Sequence, residues 1–130
     1  MSEVLDLDAL SPKPVLFRLN GHEIDVSFIP VGITFELDEI VQELAQYSVA
    51  DLQGGGEITK RALILSVKMC ALFCSLEHPE MTEDWFSRRT TPDQIQPLAK
   101  AIGDTLVASL EAMERYQKNL ITAQVTEPST

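Results

Sequence analysis

Cys70 and Cys74 stand four residues apart in the most apolar stretch of the chain. On a helix that spacing puts both thiols on one face, where they could supply two ligands to a soft metal. A zinc site needs two more, and the only other soft donors are His22 and His78, neither at a recognisable ligand spacing from the cysteines. Free cysteine is among the most buried residue types, so the pair reads better as two small core residues. Glu80, Glu83 and Asp84 form an acidic group that would suit carboxylate catalysis or magnesium. Helix starts gather acidic residues for dipole reasons anyway, and capping is the simpler account. Gly54-Gly55-Gly56 is no phosphate loop, because no Gly-Lys-Ser/Thr follows and no strand precedes it. Ser48, Ser66 and Ser109 have no nucleophile-elbow context, and Arg88-Arg89 is a single basic pair that reads as a solvated face. The expectation is a protein that is not an enzyme, with no catalytic residues, no metal ligands and no cofactor.

Trp85-Phe86 is the feature that chemistry leaves over. Large aromatics concentrate binding energy at protein interfaces. An aromatic pair in a short amphipathic helix also serves to pin that helix to its own core. The core role is favoured for Trp85 and the two roles balance for Phe86, so both are carried as candidate partner-binding residues. The Gly54–Gly56 loop and the open edges of a two-stranded hairpin are further candidate contact surfaces.

The elements that must position these side chains begin with one β-hairpin from Val15 to Val26. Asn20-Gly21 is the favoured pair for a two-residue type I′ turn, where both positions need positive φ. That turn sets Leu19 opposite His22, Arg18 opposite Glu23, Phe17 opposite Ile24 and Val15 opposite Val26. Val15, Phe17, Leu19, Ile24 and Val26 then share one face, and Arg18 and Glu23 form a cross-strand ion pair on the other. A lone hairpin is marginal in water, so its apolar face must lie on the helices that follow.

Nearly everything after Thr34 reads as helix. Pro30 and Gly32 mark the turn into a first helix over roughly 34–48, with Leu37, Ile40, Val41 and Leu44 at helical spacing. Three consecutive glycines follow, an expensive segment to order and expected to be mobile. A second helix over about 58–76 is apolar nearly all round, with Arg61 and Lys68 as a thin polar stripe, and must be wrapped by other elements or another subunit. Thr82 is placed to cap a short helix through Arg88. Thr91-Pro92-Asp93-Gln94 is the clearest helix start, with a capping threonine, proline at the first helical position and a glutamine three residues on. Ile95, Leu98, Ile102, Leu106, Leu110, Met113 and Leu120 make one stripe on a last helix to about Thr122. Pro97 lies too deep for the first turn, which predicts a kink or a restart. The fold class is α+β, an N-terminal two-stranded antiparallel β-hairpin followed by a bundle of about four helices, mostly α. Residues 1–14 are expected to be an extended leader, 15–122 a single domain, and 123–130 a frayed polar tail.

Composition narrows the partners. Twenty acidic against ten basic residues leave a formal charge of −10. Nucleic acid needs a concentrated basic patch, and so does an anionic membrane, so neither is expected. Basic protein partners and solubility are favoured. The start lacks a secretion signal, and Ala62 to Leu76 is too short and too interrupted to span a bilayer.

From Val15 onward the layout resembles the tail assembly chaperones of long-tailed bacteriophages, closest to the lambdoid type with non-contractile tails. The carrying segments are the hairpin from Val15 to Val26, Pro30-Val31-Gly32 opening a helix, and the apolar second helix. His78-Pro79-Glu80-Met81-Thr82-Glu83-Asp84-Trp85-Phe86, Thr91-Pro92-Asp93-Gln94-Ile95 and the long closing helix complete them, so the resemblance covers roughly 15–119. The triple glycine and Pro97 depart from the pattern. The resemblance implies a non-enzymatic assembly factor of the host cell cytoplasm that binds the tape measure protein, keeps it soluble while the tail tube forms, and is absent from the mature virion. It also implies self-association along one tape measure and, in some relatives, a longer frameshifted form that recruits the tail tube protein. The competing expectation is a small acidic protein-binding adaptor, either a secretion-type chaperone or a DNA-mimic inhibitor.

Overall fold

The computed structural model describes residues 6–10 and 12–126, and among these residues there are two strands, five α-helices and two short 3-10 turns. Strands β1 (Leu16–Leu19) and β2 (His22–Asp25) form the expected antiparallel hairpin, with Leu19 opposite His22 and Phe17 opposite Ile24. Asn20 and Gly21 both take positive φ, +48° and +81°, as a type I′ turn requires. Leu19, Ile24 and Val26 are buried, whereas Val15 at the strand's open start stays exposed.

A single 3-10 turn at Val31–Ile33 leads into α1 (Thr34–Leu44). The first helix is shorter than its apolar spacing suggested. After Leu44 the chain tightens, with Gln46 and Tyr47 amides reaching the carbonyls of Glu43 and Leu44. Ser48 then starts a separate helix, α2 (Val49–Gln53), through a reciprocal capping box. Its Oγ accepts from the Asp51 amide, and the Asp51 carboxylate accepts from the Ser48 amide, both at 3.1 Å. Gly54 closes α2, Gly55 takes φ +74°, and Gly56 opens α3 (Glu57–Cys74). The Thr59 hydroxyl braces that glycine link, lying 2.9 Å from the Gly55 amide and 3.0 Å from the Asp51 carbonyl.

Thr82 caps α4 (Glu83–Arg89) by accepting from the Trp85 amide. Helix α5 (Pro92–Thr126) opens where Thr91-Pro92 placed it, and the Gln94 side chain accepts from the Thr91 amide at 2.9 Å. Pro97 causes no restart: α5 runs through it as one helix of 35 residues, about 52 Å long. Pro97 and Asp93 both face solvent, so water can take the bond that the missing N–H would have made.

The core gathers Leu19, Ile24 and Val26 of the hairpin side with Leu37 of α1, Met69, Cys70 and Phe73 of α3, Met81, Phe86 of α4, and Ile95, Leu98, Ile102 and Leu106 of α5. The Thr105 hydroxyl donates to the Val26 carbonyl at 2.9 Å, seating the end of the hairpin on α5. Two boundary expectations are corrected. Within the supposed extended leader, Leu7–Leu10 is a 3-10 turn, where the Asp6 carboxylate accepts from the Asp8 amide. At the other end α5 continues through Thr126, four residues into the expected frayed tail. The first five residues of the expected leader and residues 127–130 of the expected tail lie outside the described residues. No helix among the described residues is long and apolar enough to cross a membrane.

Candidate partner-binding site

The wrapping anticipated from the composition of α3 is close to complete only toward its end; nearer its start Ala62 and Leu65 are buried while their neighbours are open. Met69, Cys70, Ala71, Phe73 and Cys74 are all buried. Toward the start of the helix, Ile58, Leu63 and Ile64 lie open to solvent, Ile64 with 49% of its surface exposed. Together with Val67 of α3, Phe86 of α4, and Pro92 and Ile95 at the start of α5, Leu63 and Ile64 line an open groove of about 340 Å³. Glu83 and the hydroxyl residues Ser87, Thr90 and Thr91 give the groove its polar edge. An apolar floor with a thin polar rim fits an amphipathic helix laid along it.

A second open surface lies on α5. Among its residues up to Leu120 the last buried one is Leu106, Leu110 is half-buried, and every residue from Glu111 to Leu120 is exposed. Val107, Met113, Tyr116 and Leu120 therefore present apolar surface to water, Tyr116 at 65% exposure. Met113 and Leu120 belong to the same stripe whose earlier members build the core.

The two aromatic candidates part company. Phe86 is fully buried, at 0% exposure, and contributes its ring to the floor of the groove. Trp85 is half-buried and stacks edge-on against Phe86 at 5.0 Å. Its other neighbour is His22, whose ring centre lies 6.0 Å away. A charge introduced at Phe86 would thus disturb the core, and Trp85 packs against that core too while keeping part of its surface open.

The remaining candidates find structural settings. The Cys70 and Cys74 thiols are buried and unbridged. Burial, with the Glu77 charge adding to it, pushes the Cys74 thiol up to about 12, and burial pushes Cys70 higher still, so neither offers a thiolate at neutral pH. Asp84 pairs with Arg88 along α4 at 3.0 Å. Arg61 of α3 grips Glu43 of α1 in a two-pronged pair, Nε to Oε2 at 2.7 Å and Nη2 to Oε1 at 3.1 Å, and the Tyr47 hydroxyl donates to the same carboxylate. The Arg61 guanidinium holds the Glu43 carboxyl below its ordinary range, while burial and then the hydrogen bond to Glu43 raise Tyr47.

Sequence spacing did not reveal that His22 and His78 meet each other. The hairpin turn carries His22 to the connection between α3 and α4, where His78 and Glu80 sit, and the imidazole centres are 4.9 Å apart. No local motif could have signalled the encounter, since it depends on how the hairpin docks. Comparison with known proteins finds no matching family model, curated protein or solved structure.

Proposed function

We propose that this chain is a non-enzymatic tail assembly chaperone of the long-tailed, non-contractile bacteriophage type. In this reading it binds apolar helical segments of a tape measure protein and keeps them dispersed in the host cytoplasm while the tail tube assembles. The observation that carries the reading is the amount of apolar surface left open on two helices of a chain with net charge −10. Contiguous apolar surface of this kind marks an interaction site. The groove lined by Leu63, Ile64 and Val67 receives the apolar face of a partner helix, and the net negative charge keeps the loaded complex from clumping. The hairpin, the Pro30-Val31-Gly32 turn and the Thr82 and Thr91 helix starts, on which the family resemblance rests, support the specific choice of partner.

The test is co-expression with a tape measure protein encoded beside this chain. The wild-type chain should keep the tape measure soluble and co-purify with it. A Leu63→Asp/Ile64→Asp variant, checked by circular dichroism to be folded, should lose both effects. A tape measure equally soluble with and without this chain would defeat the reading and favour a small acidic adaptor with another partner.

A further inference from the structure

The tip of the hairpin and the connection between α3 and α4 bring two imidazoles and a carboxylate into one spot. His22 Nε2 lies 3.6 Å from Glu80 Oε1, and one ligand atom from each of His22, His78 and Glu80 falls within 4.8 Å of the other two. We propose that His22, His78 and Glu80 form a surface site for a divalent transition-metal ion of the zinc type, with water filling the open coordination position.

Three features of the surroundings support it. His78 Nε2 lies 3.1 Å from the Glu23 carbonyl oxygen, which can only accept. Nε2 therefore carries the hydrogen, and in the neutral ring the lone pair sits on Nδ1. A carbonyl that accepts from the other ring nitrogen and so fixes the tautomer is the usual partner of a metal-binding histidine. The turn that carries His22 is also held in place, because Asn20 Nδ2 donates to the Arg89 carbonyl at 3.1 Å. Finally, metal–ligand bonds of about 2.0–2.2 Å put tetrahedral ligand atoms roughly 3.3 Å apart. The present spacing is wider than that, and the side chains that would turn to close it are Glu80, which is exposed, and His22, which is half-buried.

Two imidazoles with one carboxylate suit zinc, nickel or copper, and give little advantage to magnesium, which demands oxygen ligands. A bound ion would clamp the hairpin turn to the α3–α4 connection beside Trp85. This site is independent of the chaperone reading, and neither stands or falls with the other.

The chain contains one tryptophan and two histidines, which makes the test direct. Full-length protein, with any affinity tag removed, is titrated with Zn²⁺ by calorimetry in excess Mg²⁺, and with Ni²⁺ while following Trp85 fluorescence. One ion per chain should bind, and Ni²⁺ should quench Trp85. His22→Gln and His78→Gln should each weaken binding at least about tenfold, the loss already reached when only the hydrogen-bond partner of a ligand is changed. In the unsubstituted chain, the ring-proton NMR signals of both histidines should broaden together within the first equivalent of Ni²⁺, which needs no variant to fold. Absence of saturable Zn²⁺ binding, equal competition by Mg²⁺, unchanged affinity in both variants, or histidine signals untouched while ions bind elsewhere would each overturn the site.

Discussion

Helices α3 and α5 are built alike and used differently along their lengths. From Met69 to Cys74, α3 is enclosed, and from Ile95 to Leu106 the apolar stripe of α5 closes on the same core. The other part of each helix leaves apolar residues open: Ile58, Leu63 and Ile64 on α3, where only Ala62 and Leu65 are buried nearby, and Val107, Met113, Tyr116 and Leu120 on α5. An apolar helical face states that surface should leave water, and only the tertiary structure says whether this chain supplies the cover. Where it does not, apolar surface stays open to water, the kind of surface that marks interaction sites.

Substitutions in the two halves should therefore separate stability from binding. The largest loss of stability is expected inside the enclosed half. Phe86→Ala removes a fully buried ring and should cost about 3–5 kcal/mol, and Ile102→Ala about 2–5 kcal/mol, read as a lower urea midpoint at unchanged slope. Either variant staying within experimental error of wild type would show that this core is not packed as described.

A smaller loss is expected where α4 is held in position between the halves. Thr82→Ala removes the side-chain acceptor of the Trp85 amide. It should cost about 1 kcal/mol, as other lost caps do, with Thr82→Ser restoring most of it.

Weaker again is the link between α1 and α3. The Arg61 hydrogen bond lowers the Glu43 carboxyl from its ordinary 4.5. A carboxylate with a depressed folded value adds stability that is present above its unfolded value and is lost as pH falls through the folded one. The advantage of wild type over Glu43→Gln should thus persist at neutral pH and close as pH falls below the ordinary 4.5 and through the lowered folded value, and added salt should shrink it because the pair is exposed. An advantage unchanged down to acid pH would contradict that link.

The least effect on stability belongs to the open halves. Met113→Gln and Ile64→Gln should each stay within about 0.5 kcal/mol of wild type. Binding should respond in the opposite order, with Ile64→Gln weakening the partner complex that Thr82→Ala leaves largely intact.

Much of this architecture was legible in local chemistry. Asn20-Gly21 admits few turns, and that turn fixes the register of every facing pair in the hairpin. Thr82 and Thr91 carry cap signals strong enough to set where α4 and α5 begin. The break after Leu44 was written as well, in Ser48-Val49-Ala50-Asp51, but an unbroken apolar spacing on either side masked it. Pro97 misled in the other direction: proline penalises a helix interior, yet an exposed site early in a 35-residue helix tolerates the loss of one bond. The aromatic pair was ambiguous because Trp85 and Phe86, adjacent in sequence, point to different surroundings. The meeting of His22 with His78 had no sequence signature at all, being a product of long-range docking. The open face near the start of α3 was hidden for the same reason, since hydropathy counts residues and not their neighbours.

Hydrogen exchange of this chain, alone and with the tape measure protein, tests the central claim most directly. The account predicts new amide protection on α3 around Ile58–Val67, at the start of α5, and on α5 from Val107 to Leu120, with the Met69–Cys74 core unchanged. Protection confined to the hairpin edges or the glycine link, with both open halves exchanging as before, would contradict it.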